Sequence, residues 1–244
     1  MKRILLILEY VGTNFYGWQR QNALRSVQEE VETAIEKLTG TFSTLHGSGR
    51  TDAGVHALGQ AAHFDTESGI PARQYVLGLN HYLPPDVKVR EAYEVEPDFH
   101  ARFDAREKTY LYRMYVARAQ SPVREPYALH VIPPLDYDKM FRAAQDIPGT
   151  HDFFRLHGHM KKITSTVRTI TEAKLELAGE DLTFTITGNG FLYNMVRLTV
   201  GTLLWIGYGK LPEDHFRRLF DPAGDCRPGK CVAGKGLFLV RVNY

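Results

Sequence analysis

The chain has 244 residues, of which 43% are apolar and 24% charged. That composition fits a folded protein of one or two domains and excludes wholesale disorder and low complexity. No run of about 18 apolar residues appears, which excludes a membrane-spanning helix, and two cysteines, Cys226 and Cys231, exclude a disulfide framework or a four-thiolate zinc site. The net charge of +2 is unevenly spread. Residues 1–104 carry 10 Lys and Arg against 14 Asp and Glu, or −4; residues 105–244 carry 20 against 14, or +6. A basic second half fits a polyanionic partner.

Residues 2–10 read as a strand. Lys2 and Arg3 precede an apolar run, but it stops at Glu9, short of the ~7–15 apolar residues of a secretory signal, so the expected location is cytoplasmic. Residues 11–25 form a loop rich in Gly, Asn and Gln. Ser26 and Glu29 make a capping box; Val27, Val31, Ile35 and Leu38 recur at helical spacing, and Gly40 ends the helix. Strands are expected at 41–46 and 56–65, a helix at 71–82 with Pro71 in its first position, and a strand at 86–96. This order, β-α-β-β-α-β, is that of a ferredoxin-like unit. The second half reads similarly: a strand at 106–117, an amphipathic helix at 136–147 and strands at 164–177 and 181–188 about a Gly179 turn. A helix at 191–206, a short helix at 212–220 and a last strand at 237–243 follow. The expectation is an α+β fold of two ferredoxin-like halves, residues 1–104 and 105–244, forming a continuous mixed and antiparallel sheet.

Three constellations could carry chemistry. The first is Gly47-Ser48-Gly49-Arg50-Thr51-Asp52-Ala53-Gly54-Val55-His56, a glycine-rich loop between strands that holds an acid and a base. Spacing alone leaves open a tight turn with a solvated ion pair. It is neither a Walker A loop, since no Lys follows, nor a dinucleotide loop, since Asp52 stands at the third glycine position. The second is Arg197, in a helix apolar almost all round; a buried guanidinium needs an acid or phosphate partner, Asp52 being one candidate, unless it snorkels to water. The third is the strand with Lys108, Tyr110, Tyr112 and Met114 on one face, flanked by Arg106 and Arg113. Aromatic residues interleaved with bases suit stacking on a nucleobase beside a phosphate, and equally suit an ordinary sheet face. His151, His157 and His159 show no metal-binding spacing, and no metal site is expected.

The segment Gly49–His56 resembles the catalytic loop of the tRNA pseudouridine synthase A family. Gly12-Thr13-x-Phe15-x-Gly17-Trp18-Gln19-x-Gln21 is similar to its N-terminal signature, and Glu107-Lys108-Thr109-Tyr110-x-Tyr112 to its tyrosine motif. Gly190-Phe191-Leu192-x-x-Met195-Val196-Arg197 is similar to its arginine helix and Gly236-Leu237-Phe238-Leu239 to its closing strand. The chain departs from the family at Val11, where Asp is usual, at Phe153-Phe154, and at Cys231-Val232-Ala233.

The resemblance implies a cofactor-free isomerase that converts uridine to pseudouridine at positions 38, 39 and 40 of the tRNA anticodon stem-loop. It implies Asp52 as nucleophile, Arg197 as its orienting cation, Tyr110 stacking on the target base, and Arg50 filling the space the flipped base leaves. His56 and Leu192, within the motifs, are expected to line the substrate site. It also implies a homodimer that binds tRNA across both subunits, with no membrane association. Lys161, Lys162, Arg168, Arg217 and Arg218 are candidates for contacts to the tRNA backbone. The alternative is a non-catalytic RNA-binding module of the same fold.

Overall fold

The structure is a computed structural model and describes residues 1–158 and 165–244. Lys161 and Lys162 lie outside the described residues. The chain divides into two units, Met1–Arg106 with Phe238–Tyr244, and Glu107–Leu237.

In the first unit, β1 (Lys2–Tyr10), α1 (Val27–Thr39), β2 (His46–Gly47), β3 (His56–Thr66), α2 (Gln74–Tyr82) and β4 (Val87–Val95) follow the expected order. β1 lies between β4 and β3 and is antiparallel to both, and β2 pairs antiparallel with β3 at Ala62 and His63. This is the split arrangement of a ferredoxin-like unit. Both faces of β1 are covered, which is why its sequence is nearly continuously apolar. Ile4, Leu6 and Leu8 are fully buried. On the opposite face Leu5 joins Ala61 and Ala101 beneath Phe99, Val242 and Tyr244.

Helix α1 starts and stops where its caps dictate. Ser26 Oγ accepts from the Glu29 amide at 3.4 Å, and Gly40 closes the helix at φ +76°. Of the strand expected at 41–46, only His46–Gly47 pairs. The reason is Glu32, 1% exposed. Its Oε1 accepts from the Leu45 amide at 3.0 Å and from Gln28 Nε2 at 2.9 Å, and Gln28 Nε2 also donates to the Leu45 carbonyl. The backbone of Leu45 is thus satisfied by α1 side chains instead of a ladder. Helix α2 begins three residues after Pro71, because Gln74 and Tyr75 donate to Pro71 and Ala72 in tight three-residue turns.

The second unit holds β5 (Glu107–Val116), β6 (Leu129–Val131), α3 (Tyr137–Ala144), β7 (Gly149–Asp152), β8 (Val167–Ala178), β9 (Asp181–Gly188), α4 (Met195–Gly207) and α5 (His215–Phe220). Strands β5, β9, β8 and β7 are neighbours in that order, each pair antiparallel, and β6 adds parallel to the end of β5. The order β5-β9-β8 repeats β1-β3-β2 of the first unit. Gly179, at φ +62°, turns the β8–β9 hairpin. In α4, 10 of 13 residues are buried, as an all-round apolar helix requires.

The last strand, β10 (Leu237–Asn243), runs parallel to the start of β3, with Phe238 opposite His56 and Leu239 opposite Ala57. Because β2 is so short, it occupies only the far part of that edge and leaves the near part to β10. The fold is α+β, with a mixed sheet in each unit. Among the described residues no helix is long and apolar enough to cross a membrane.

Glu32 ties two segments to α1. Glu32→Ala leaves the buried Leu45 amide without its acceptor and should cost about 3 kcal/mol in urea unfolding; Glu32→Gln, which keeps the acceptor, should cost less than half as much.

His63, buried on β3, stacks on His46 at 5.1 Å, meets His100 edge-on at 4.8 Å and accepts from the Ala101 amide through Nδ1 at 3.1 Å. Burial first, then Arg3, His100 and His46, push its pKa down to about 4 against the opposing pull of Asp65. The unfolded chain therefore binds this proton more tightly. The stability is whole above pH 6.5 and is lost as pH falls towards 4. Unfolding free energy should drop by about 2 kcal/mol between pH 7 and pH 5 on this account, and His63→Gln should flatten that slope in denaturant titrations.

Candidate active site

In the first unit, Arg50, Thr51 and Asp52 sit in the irregular loop that joins β2 to β3. Its entry is fixed by β3: the Ser48 amide donates to Ala61 O at 2.8 Å, Ser48 Oγ donates to Gln60 Oε1 at 2.6 Å, and Gln60 Nε2 donates to Gly49 O at 2.9 Å. Its tip is held by the loop that follows β1. The Trp18 amide donates to Thr51 O at 3.0 Å and the Gly54 amide to Phe15 O at 3.3 Å. The Tyr10 hydroxyl meets Thr51 Oγ1 at 2.8 Å in a buried bond, and the Val55 amide returns to Asp52 O at 3.1 Å. Asp52 is half-buried and Arg50 exposed. Loops normally lie on the surface with water as partner; this one is held by the backbone of β3 and of the loop after β1, and by the side chains of Tyr10 and Gln60.

The glycines of the residue 12–18 loop are explained by that contact. A Cβ on Gly12 would stand 2.0 Å from the Val55 carbonyl oxygen, and one on Gly17, at φ +95°, 2.6 Å from that of Thr51. Gly47 lies against the Trp18 ring, which a Cβ would meet at 2.6 Å. His56, fully buried, accepts from the Gly12 amide through Nδ1 at 3.0 Å and stacks on Phe238 at 4.6 Å. Accepting at Nδ1 places the ring proton on Nε2. Within this unit His56 therefore secures the residue 12–18 loop.

In the second unit, Tyr110, Tyr112 and Met114 share the inner face of β5 and are all buried. Tyr110 is 7% exposed, and its ring meets Phe191 edge-on at 4.9 Å. The Tyr112 hydroxyl donates to Ala233 O at 2.7 Å, and burial pushes this phenol well above its ordinary pKa despite the opposing field of Arg197. Leu192, also buried, lies in the turn that precedes α4. Arg197 is half-buried: Nε donates to Val232 O at 2.7 Å and Nη1 to Asn194 Oδ1 at 2.9 Å. The segment 151–158 is pinned by Arg155, whose guanidinium donates to the carbonyls of Leu219, near the end of α5, and of Asp221, Pro222 and Gly224 beyond it. It ends with the Gly158 amide on Tyr193 O at 2.8 Å.

A family model described as tRNA pseudouridine synthase matches residues 6–104 and 143–244. The chain belongs to the tRNA pseudouridine synthase family. Its relatives include tRNA pseudouridine synthase A of Acetivibrio thermocellus, 43% identical over the whole of both chains. That of Halalkalibacterium halodurans is 43% identical over all of this chain and 93% of its own. A solved structure of a Cbf5-Nop10-Gar1 complex is similar over 84% of this chain and 45% of that one, at 12% identity and a TM-score of 0.42. The protein is thus an isomerase that forms pseudouridine in tRNA.

Against this family, the departure at Cys231-Val232-Ala233 leaves two contacts of that segment independent of its side chains. Val232 and Ala233 hold Arg197 and Tyr112 through backbone carbonyls, which any residue type supplies. Phe153 is buried against Phe220 at 5.0 Å while Phe154 faces water. Among the candidate backbone-contacting bases, Arg168 is half-buried, donates to Ser165 O and Val167 O, and has its pKa lowered by burial. Arg217 and Arg218, exposed on α5, already face Asp146 at 2.8 Å and Asp214 at 2.9 Å. Sequence reasoning missed Tyr10, Gln60 and Asn194; none of these residue types carries a spacing signal that announces such a role.

Because the obstacle facing Gly12 is backbone, rotamer change cannot relieve it. Gly12→Ala should lower stability by about 2 kcal/mol or more and pseudouridine formation at least tenfold. Gly54, at φ +76° with open space around it, provides the contrast: Gly54→Ala should cost about 1 kcal/mol, from backbone strain alone. Denaturation curves and a tRNA conversion assay on both variants check this.

Proposed function

We propose that this synthase acts on the tRNA anticodon stem-loop, at positions 38, 39 and 40, with Asp52 as its nucleophile. The observation that carries the reading is the Asp52 loop itself. A carboxylate stands half-buried on a segment fixed by Trp18, Tyr10, Phe15 and Gln60, which is the preorganisation that a nucleophile requires.

The reaction balances within the nucleotide. The N1–C1′ bond breaks, the uracil turns, C5 joins C1′, and the proton lost from C5 is matched by one gained at N1. Asp52 acts at the sugar or base during the transfer. Arg197 supplies the cation that favours an ionised carboxylate. The target nucleotide flips out of the stem, Arg50 takes the space it leaves, and Tyr110 stacks on the base, which requires the buried face of Tyr110 to open when RNA binds. His56 and Leu192 shape the same site. The +6 charge of residues 105–244 supports a surface that reads phosphates, with Arg168, Arg217 and Arg218 as its candidates; Arg217 and Arg218 must first leave their carboxylates. The family resemblance supports a homodimer at work in the cytoplasm, with tRNA bound across both copies.

The test uses an unmodified tRNA transcript with uridines at 38 to 40. Wild-type protein should form pseudouridine at those positions. Asp52→Asn and Asp52→Ala should form none while binding the transcript within about threefold of wild type. Conversion by Asp52→Asn at the wild-type rate would overturn the assignment.

A further inference from the structure

Helix α4 opens in an unusual way. Asn194, the residue before its first turn, has φ +61° and ψ +3°, in the left-handed region. Among the described residues only one other non-glycine residue, Ala23, has positive φ. An Asn in front of a helix ordinarily sits in extended backbone and accepts from an amide of the first turn, which stabilises the helix end. Asn194 makes no such bond. Its Oδ1 accepts from Nη1 of Arg197 at 2.9 Å, while the Val232 carbonyl accepts from Nε at 2.7 Å.

Two acceptors on two donors of a planar guanidinium fix its plane as well as its position. Asn tolerates the left-handed region better than other non-glycine residues, yet the conformation is still disfavoured, and the usual cap is forgone. Both losses fall on the residue that holds Arg197. Strain of this kind persists where surrounding structure over-determines it, and it clusters at working sites. Asn194 is braced from behind as well. A Cβ on Gly158 would stand 2.7 Å from Asn194 Nδ2 and 2.8 Å from the Tyr193 ring, and the Gly158 amide is bound to Tyr193 O. The absence of a side chain at 158 lets the amide group pack directly against backbone.

The geometry assigns Asn194 as a positioning residue: it aims the Arg197 guanidinium for the reaction without itself reaching the RNA. The assignment rests on the reading that Arg197 takes part in the chemistry.

Asn194→Gly is the decisive variant, because glycine adopts positive φ freely, so the side chain and its amide are removed without adding backbone strain. Its melting temperature should equal or exceed that of wild type. Its KM for tRNA should stay within about twofold, and kcat should fall roughly tenfold to a hundredfold, the cost of a misplaced group. A wild-type kcat overturns the proposal. Arg197→Lys, which keeps the charge but lacks the planar fork of donors, runs alongside. If Arg197→Lys converts tRNA at the wild-type rate, the role of Arg197 fails. If it is slowed and Asn194→Gly is not, only the role of Asn194 fails. In the Arg197→Lys background, Asn194→Gly should cause no further loss of kcat; an equal fold-loss in both backgrounds overturns the proposal.

Discussion

Two loop segments hold each other in the first unit, one opening in the 3-10 turn Gly12–Asn14, and the contact is largely backbone against backbone. The Gly12 α-carbon lies where a Cβ would be 2.0 Å from the Val55 carbonyl oxygen, and the Trp18 amide closes on Thr51 O. Neither loop could keep this shape alone, since each would present polar backbone to its neighbour without a partner. Together they satisfy one another and fix the backbone on both sides of Asp52. The bulge in β1 between Leu8 and Tyr10 belongs to the same arrangement, because it is Tyr10 that reaches Thr51 Oγ1.

Much of the fold follows from local rules that a sequence displays. Ser26, Glu29 and Gly40 bound α1 as capping chemistry requires, and Gly179 turns the β8–β9 hairpin. The misreadings have a common physical origin in side chains that bind distant backbone. Residues 41–45 have the residues of a strand, but Glu32 and Gln28 satisfy Leu45 in place of a ladder partner. The N-terminal end of α4 reads as helix from 191, yet the chain enters it only after Asn194 has turned left-handed. Strands β6 and β7, of three and four residues, are too short to show alternation.

The candidate site shows the same division. The motifs single out Asp52, Arg197 and Tyr110 as candidates, and the need of Arg197 for acceptors follows from the apolar helix around it. Which acceptors it finds in the second unit was not legible, because the Val232 carbonyl has no signature in a sequence and Asn194 acts through its backbone conformation as much as through its amide. Likewise, Tyr112 is anchored on Ala233 O, a partner any residue could provide. Carbonyl acceptors of this kind free the 231–233 segment to vary while the groups it holds stay in place.

The strand β10 has a consequence for the order in which the molecule is completed. It lies beside the first residues of β3, with Phe238 stacked on His56, Asn243 O on the Arg106 amide and the Tyr244 hydroxyl on Ala101 O. Val242 and Tyr244 cover Leu5 and Ala61. Yet 131 residues, Glu107 to Leu237, separate Phe238 and the residues after it from the rest of the unit they close. At about 5–20 residues per second, a ribosome takes roughly 7 to 26 s to traverse them. Through that interval the nascent first unit carries an open sheet edge and an uncovered apolar face, the two features that invite mispairing with other chains. The unit that is translated first is therefore finished only after the second has been made.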